Sequence, residues 1–99
     1  MIARVEVDGN YYKTIDANGR TIKTKFIKNE FLVNSSEIVV SRNGNYIEVF
    51  DEDLKKVKSI FKKFDRFLGA SGDTFSIQNG NYAETYDKKG KKLSQKFSK

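Results

Sequence analysis

The stretch Asn43–Asp51, NGNYIEVFD, occurs in close copies as Asp8–Asp16, DGNYYKTID, and as Asn79–Asp87, NGNYAETYD. In each copy a Gly sits between two polar residues, a Tyr follows, and an alternating run ends on Asp. Asn-Gly or Asp-Gly beside alternating residues is the strongest short-range hairpin signal, with both turn residues at positive φ. The nonapeptide therefore reads as one hairpin built three times.

Working outward, a shift of 36 residues lays Phe31–Phe61 on Phe67–Phe97 without a gap, and 12 of those 31 positions are identical. The first copy matches the second at a shift of 35, through Gly9, Asn10, Tyr11, Asp16 and Phe26. Periodicity of this length marks tandem supersecondary units and takes precedence over element-by-element reading. The chain is accordingly one domain, 1–99, made of three repeats, 1–30, 31–66 and 67–99.

The third repeat shows what each unit contains. FLGA is an apolar strand, TFSIQ and NYAETYD alternate about Asn79-Gly80, and KKLSQKF returns after the longer turn DKKGK. That is a four-stranded antiparallel meander. The chain starts in the second strand of a unit, so the first meander lacks its leading strand and about eleven strands are expected. The span Asp51–Phe67 also has apolar residues at helical spacing, Leu54, Val57, Ile60/Phe61 and Phe64. Its counterparts in the other repeats have strand chemistry, which favours strand plus loop. The fold class is thus all-β, three pseudo-equivalent antiparallel β-meanders of about 36 residues in a β-prism-like arrangement, with propeller-like blades completed by oligomerisation as the alternative. Phe26, Phe61 and Phe97, with Ile22, Val57 and Leu93 on the same faces, are the expected centre.

Composition narrows the chemistry. His, Cys and Pro are absent, so Ser-His-Asp and Cys-His catalysis, thiolate metal sites and disulfides have no residues to use. Asp16, Asp51 and Asp87 recur once per unit, and an Asp opening a turn bonds the turn's own amides. GASGD at Gly69–Asp73 is followed by neither a helix nor Gly-Lys-Ser/Thr, so it is no phosphate cradle. No enzyme activity, cofactor or metal is expected. No apolar run has the length of a membrane span, and MIARVEVDG lacks the character of a signal peptide, which makes the cytoplasm the default location, with secretion of a processed chain as the alternative.

The net charge is +6, and six lysines with no acid lie between Lys88 and Lys99. Lys23, Lys25, Lys28, Lys55, Lys56, Lys58, Lys91, Lys92 and Lys96 are interleaved with Tyr11, Tyr12, Tyr46, Tyr82 and Tyr86, a composition suited to phosphate neutralisation and base stacking.

Three short meanders in about 100 residues also resemble the monocot mannose-binding lectins, whose repeat carries Gln-x-Asp-x-Asn-x-Val-x-Tyr. Gln78 and Tyr86 stand at the ends of that spacing, with Gly80, Tyr82 and Glu84 between them. Arg42 with Phe50 and Val7 with Ile15 take the ends in the other repeats. The resemblance implies a threefold β-prism and, by function, glycan binding, although the family's sugar-contacting residues are not kept.

The leading functional expectation is a non-enzymatic binding or assembly module with a protein partner or self-association. Carbohydrate binding and nucleic-acid binding through a basic, Tyr-bearing sheet face are the alternatives. A turn tolerates Asn10, Asn45 and Asn81 without requiring them. Those amides and the neighbouring Tyr11, Tyr46 and Tyr82 are therefore the candidate ligand-binding residues.

Overall fold

The computed structural model describes residues 1–97; Ser98 and Lys99, the end of the basic C-terminal run, lie outside the described residues. Eleven strands follow one another: β1 Arg4–Asp8, β2 Tyr11–Ile15, β3 Thr21–Phe26, β4 Glu30–Asn34, β5 Val39–Asn43, β6 Tyr46–Phe50, β7 Lys56–Phe61, β8 Arg66–Ser71, β9 Thr74–Asn79, β10 Tyr82–Asp87 and β11 Lys92–Phe97. They form three open antiparallel sheets, ordered β1-β2-β3, β4-β5-β6-β7 and β8-β9-β10-β11. One sheet is one repeat, and the first has three strands, as expected. Asp51–Phe67 is a turn, β7, a loop and the start of β8, so its helical spacing is not used.

The repeated turns have repeated causes. In the tight hairpins Asp8 pairs with Tyr11, Asn43 with Tyr46 and Asn79 with Tyr82. The two turn residues are therefore Gly-Asn, one position later than the Asn-Gly reading placed them. Only the glycine has positive φ (60°, 62° and 64°), the pattern of a type II′ turn, which puts Gly first. In the longer turns Asp16 Oδ1 accepts the N–H groups of Asn18 and Arg20, both at 2.9 Å. Asp51 does the same for Asp53 and Lys55, and Asp87 for Lys89 and Lys91. The recurring Asp is thus a turn device. Gly19 and Gly90 take positive φ in these turns; Leu54 takes it in the second, at 59°.

Packing decides the rest. On the middle sheet, successive residues point to opposite faces, and both faces are apolar. Val39 and Phe50 join Leu54, Ile2, Tyr12 and Ile27 in a core shared with the first sheet. Val40, Ile47 and Val49 join Ile38, Phe75, Ile77 and Tyr86 in a core shared with the third. The sheets are stacked in series with the middle one covered on both faces, and the molecule measures 40 × 25 × 21 Å. The first strands of the three sheets lie together, β4 against both β1 and β8. The Ser35 hydroxyl, in the turn after β4, bonds the Gly72 carbonyl in the turn after β8.

The expected aromatic centre is not there. Phe26, Phe61 and Phe97 are 50%, 57% and 59% exposed. Each ends the last strand of its sheet, and Phe26, paired with Tyr11, lies on the face of the first sheet turned away from the second. Ile22 and Val57 do pack into the two intersheet cores, on the face turned towards the following sheet. Leu93 occupies the same place on the third sheet, where no further sheet covers it among the described residues, and it is exposed.

Candidate functional site

The final strands of the three meanders, β3, β7 and β11, are all edge strands. Because the leading edges lie together on one side, these three lie together on the other. Contacts between repeats confirm it. Lys25 Nζ on β3 donates to the Leu54 carbonyl at 3.0 Å, in the turn before β7. Gly90, in the turn before β11, lies against the Ile60 and Lys58 side chains of β7.

These strands read TIKTKF, KVKSIF and KLSQKF, with six lysines and no acid. The opposite edge, RVEVD, EFLVN and RFLGAS, carries two arginines against three acids. Charged side chains on an edge strand, lysine above all, block unwanted strand pairing. Both edges need that protection, yet one is mixed while the other is wholly positive, so edge protection alone does not require the difference.

Besides Lys25, two of the six lysines have inward work. Glu48 and Glu84 are buried between sheets at equivalent positions. Asn29 Nδ2 donates to Glu48 Oε1 at 2.7 Å, and Lys56 Nζ lies 3.5 Å from Oε2. Glu84 receives the Tyr86 hydroxyl at 2.6 Å, with Lys62 Nζ at 3.3 Å and Lys92 Nζ at 3.6 Å. The Tyr86 bond, reinforced by the two ammonium groups against the cost of burial, holds the Glu84 carboxyl below its usual range. Burial acts against the Lys62 ammonium, but its bonds to Tyr86 and Glu84 outweigh that and raise its pKa. Burial likewise pushes the Tyr12 phenol up to about 12, its hydroxyl donating to the Asn29 carbonyl at 2.7 Å. Lys23, Lys58 and Lys96 form no ion pair among the described residues, and neither do Arg20, Lys55 and Lys91 just before the strands.

The predicted ligand residues cap this edge. Tyr11, Tyr46 and Tyr82 open β2, β6 and β10, directly opposite Phe26, Phe61 and Phe97. The ring centroids are 5.4, 5.3 and 5.8 Å apart in edge-to-face geometry, and all six rings are about half exposed. Asn10, Asn45 and Asn81 are exposed at the tips, their side-chain amides making no hydrogen bond among the described residues. The Asn10 and Asn45 carbonyls anchor the outgoing chain through the Ile27 and Lys62 N–H groups, at 2.7 and 3.3 Å. A cleft between the second and third tips is lined by Arg42, Asn45, Lys63, Phe64, Asp65 and Asn79. The candidates therefore recur at equivalent places, one set per sheet, rather than converging on one pocket.

Tyr12 and Tyr86, part of the predicted basic and aromatic set, are buried in the intersheet cores. The three phenylalanines were missed as surface groups, because a Phe in an alternating strand reads as core. The sorting of the lysines was visible in principle, since the last strand of every repeat lacks an acid. Comparison with protein-family models, curated proteins and solved structures gave no match. Among the described residues no helix is long and apolar enough to cross a membrane.

Proposed function

We propose that this chain is a non-enzymatic binding module for a polyanionic polymer laid across β3, β7 and β11. The observation that carries the reading is the contrast between the two edges of the same stack: six lysines and no acid on one, balanced charge on the other. Lys23, Lys58 and Lys96, the cations of that row without an ion pair or hydrogen bond among the described residues, favour a partner that brings repeated negative charge and releases its counterions on binding. Self-association through this edge is disfavoured, since it would set like-charged strands against one another.

The test is the affinity of a labelled polyanion, such as heparin or polyphosphate, measured between about 50 and about 200 mM salt. A steep fall is expected, and the triple substitution Lys23→Gln, Lys58→Gln, Lys96→Gln should flatten the slope by about two to three. These side chains support no ion pair among the described residues, so the variant should melt like the parent. Undetectable binding at the lowest salt, or an affinity that salt leaves unchanged, sinks the reading.

A further inference from the structure

We propose that the polyanion is a single-stranded nucleic acid, whose bases stack on the exposed Tyr–Phe pairs while its phosphates follow the lysines. The inference rests on the polyanion reading and adds the reason for the rings. Charge complementarity alone needs no aromatics, yet each lysine-bearing edge strand ends on a half-exposed Phe, set against an equally exposed Tyr. Edge-to-face packing occupies one side of such a pair and leaves ring surface open. Every base has a π-face, so a platform of this kind accepts any sequence of unpaired bases. A duplex hides those faces in its own stack, and a sulfated glycan has none. The Arg42 and Lys63 side chains, free of ion pairs among the described residues, line the cleft between the second and third tips and supply positive charge between two platforms.

The three platforms are not equal. Lys28 Nζ lies 5.6 Å from the Phe26 ring centroid, so a cation already occupies part of that ring. No cation is placed over Phe61 or Phe97 among the described residues. The second and third platforms should therefore carry most of the stacking.

The experiment compares single-stranded oligothymidylate, a duplex of equal length and polyphosphate, each against the parent chain, Phe61→Leu/Phe97→Leu and Phe26→Leu. Oligothymidylate should bind more tightly than the other two probes. The double variant should weaken it by roughly tenfold or more while leaving polyphosphate affinity unchanged, and Phe26→Leu should have the smaller effect. A thermal melt like the parent's shows that the variant is folded, and unchanged polyphosphate binding shows that its lysines are intact. If all three probes bind alike and the leucine variants change nothing, the nucleic-acid inference is overturned and the polyanion reading stands. If no probe binds at low salt, both fall together.

Discussion

Tyr86 donates its hydroxyl to Glu84 at 2.6 Å inside the seam between the second and third sheets, two residues apart on one face of β10. Both groups depart from their usual acidity in opposite directions: the carboxyl is lowered, chiefly by that bond, and the phenol is raised, chiefly by burial. The pair therefore contributes most stability when the carboxylate is charged and the phenol neutral. Glu84's share is present above the ordinary carboxyl value of 4.5 and is lost as pH falls through its lowered folded value. The shares of Tyr86 and Tyr12 are present below the ordinary phenol value of 10.0. They are lost as pH rises through the folded values, about 12 for Tyr12. Urea midpoints measured across pH should fall at both ends. Glu84→Gln should cost about 1–3 kcal/mol at neutral pH and weaken the acid-side fall. An unchanged acid limb would show that Glu84 is not responsible for it.

Leu54 is the only non-glycine residue with positive φ among the described residues, and it is also fully buried. Left-handed backbone costs a side-chain-bearing residue about 1–2 kcal/mol, which glycine does not incur. Both truncations, Leu54→Ala and Leu54→Gly, empty the same apolar site. Leu54→Gly should nonetheless be the more stable of the two by about 1 kcal/mol, the reverse of the order in ordinary strand or helix. Denaturant titration of the two proteins decides it, and a more stable alanine variant would contradict the turn geometry.

Phe61 and Phe75 should respond very differently to truncation. Phe75 is buried in the core between the second and third sheets, stacked between Phe67 and Tyr86. Phe75→Ala should cost about 3–5 kcal/mol. Phe61 keeps mainly its edge-to-face contact with Tyr46, so Phe61→Ala should cost only about 0.5–1.5 kcal/mol. Equal losses would place Phe61 in a core after all.

Asp87 can be tested as a turn device without disturbing either core, since its Oδ1 bonds only the exposed turn amides of Lys89 and Lys91. Asp87→Ala should lower stability by about 1 kcal/mol, and Asp87→Asn, which keeps the accepting oxygen, should recover most of that loss. Thermal melts of the two variants would show the recovery, and equal losses would mean that the charge, rather than the turn bond, is what matters.

The sequence by itself determined the local architecture. Gly before Asn at three tips, Asp at three longer turns and alternation between them specify three hairpin meanders, since turn chemistry and strand period act over a few residues. The missing glycine at Leu54 weakened that signal without changing the result, because burial of the leucine offsets its backbone cost. Only the tertiary structure decided which faces are covered. Alternation says that Phe61 shares a face with Ser59 and opposes Ile60, but it does not say where one sheet stops overlapping the next. Phe26 lies on the first sheet's uncovered face, and Phe61 and Phe97 end their strands half exposed, so all three become surface, whereas Glu48 and Glu84 lie between sheets and are buried with lysine partners. The same stacking gathers three separate edge strands into one basic, ring-capped face, which no single repeat displays.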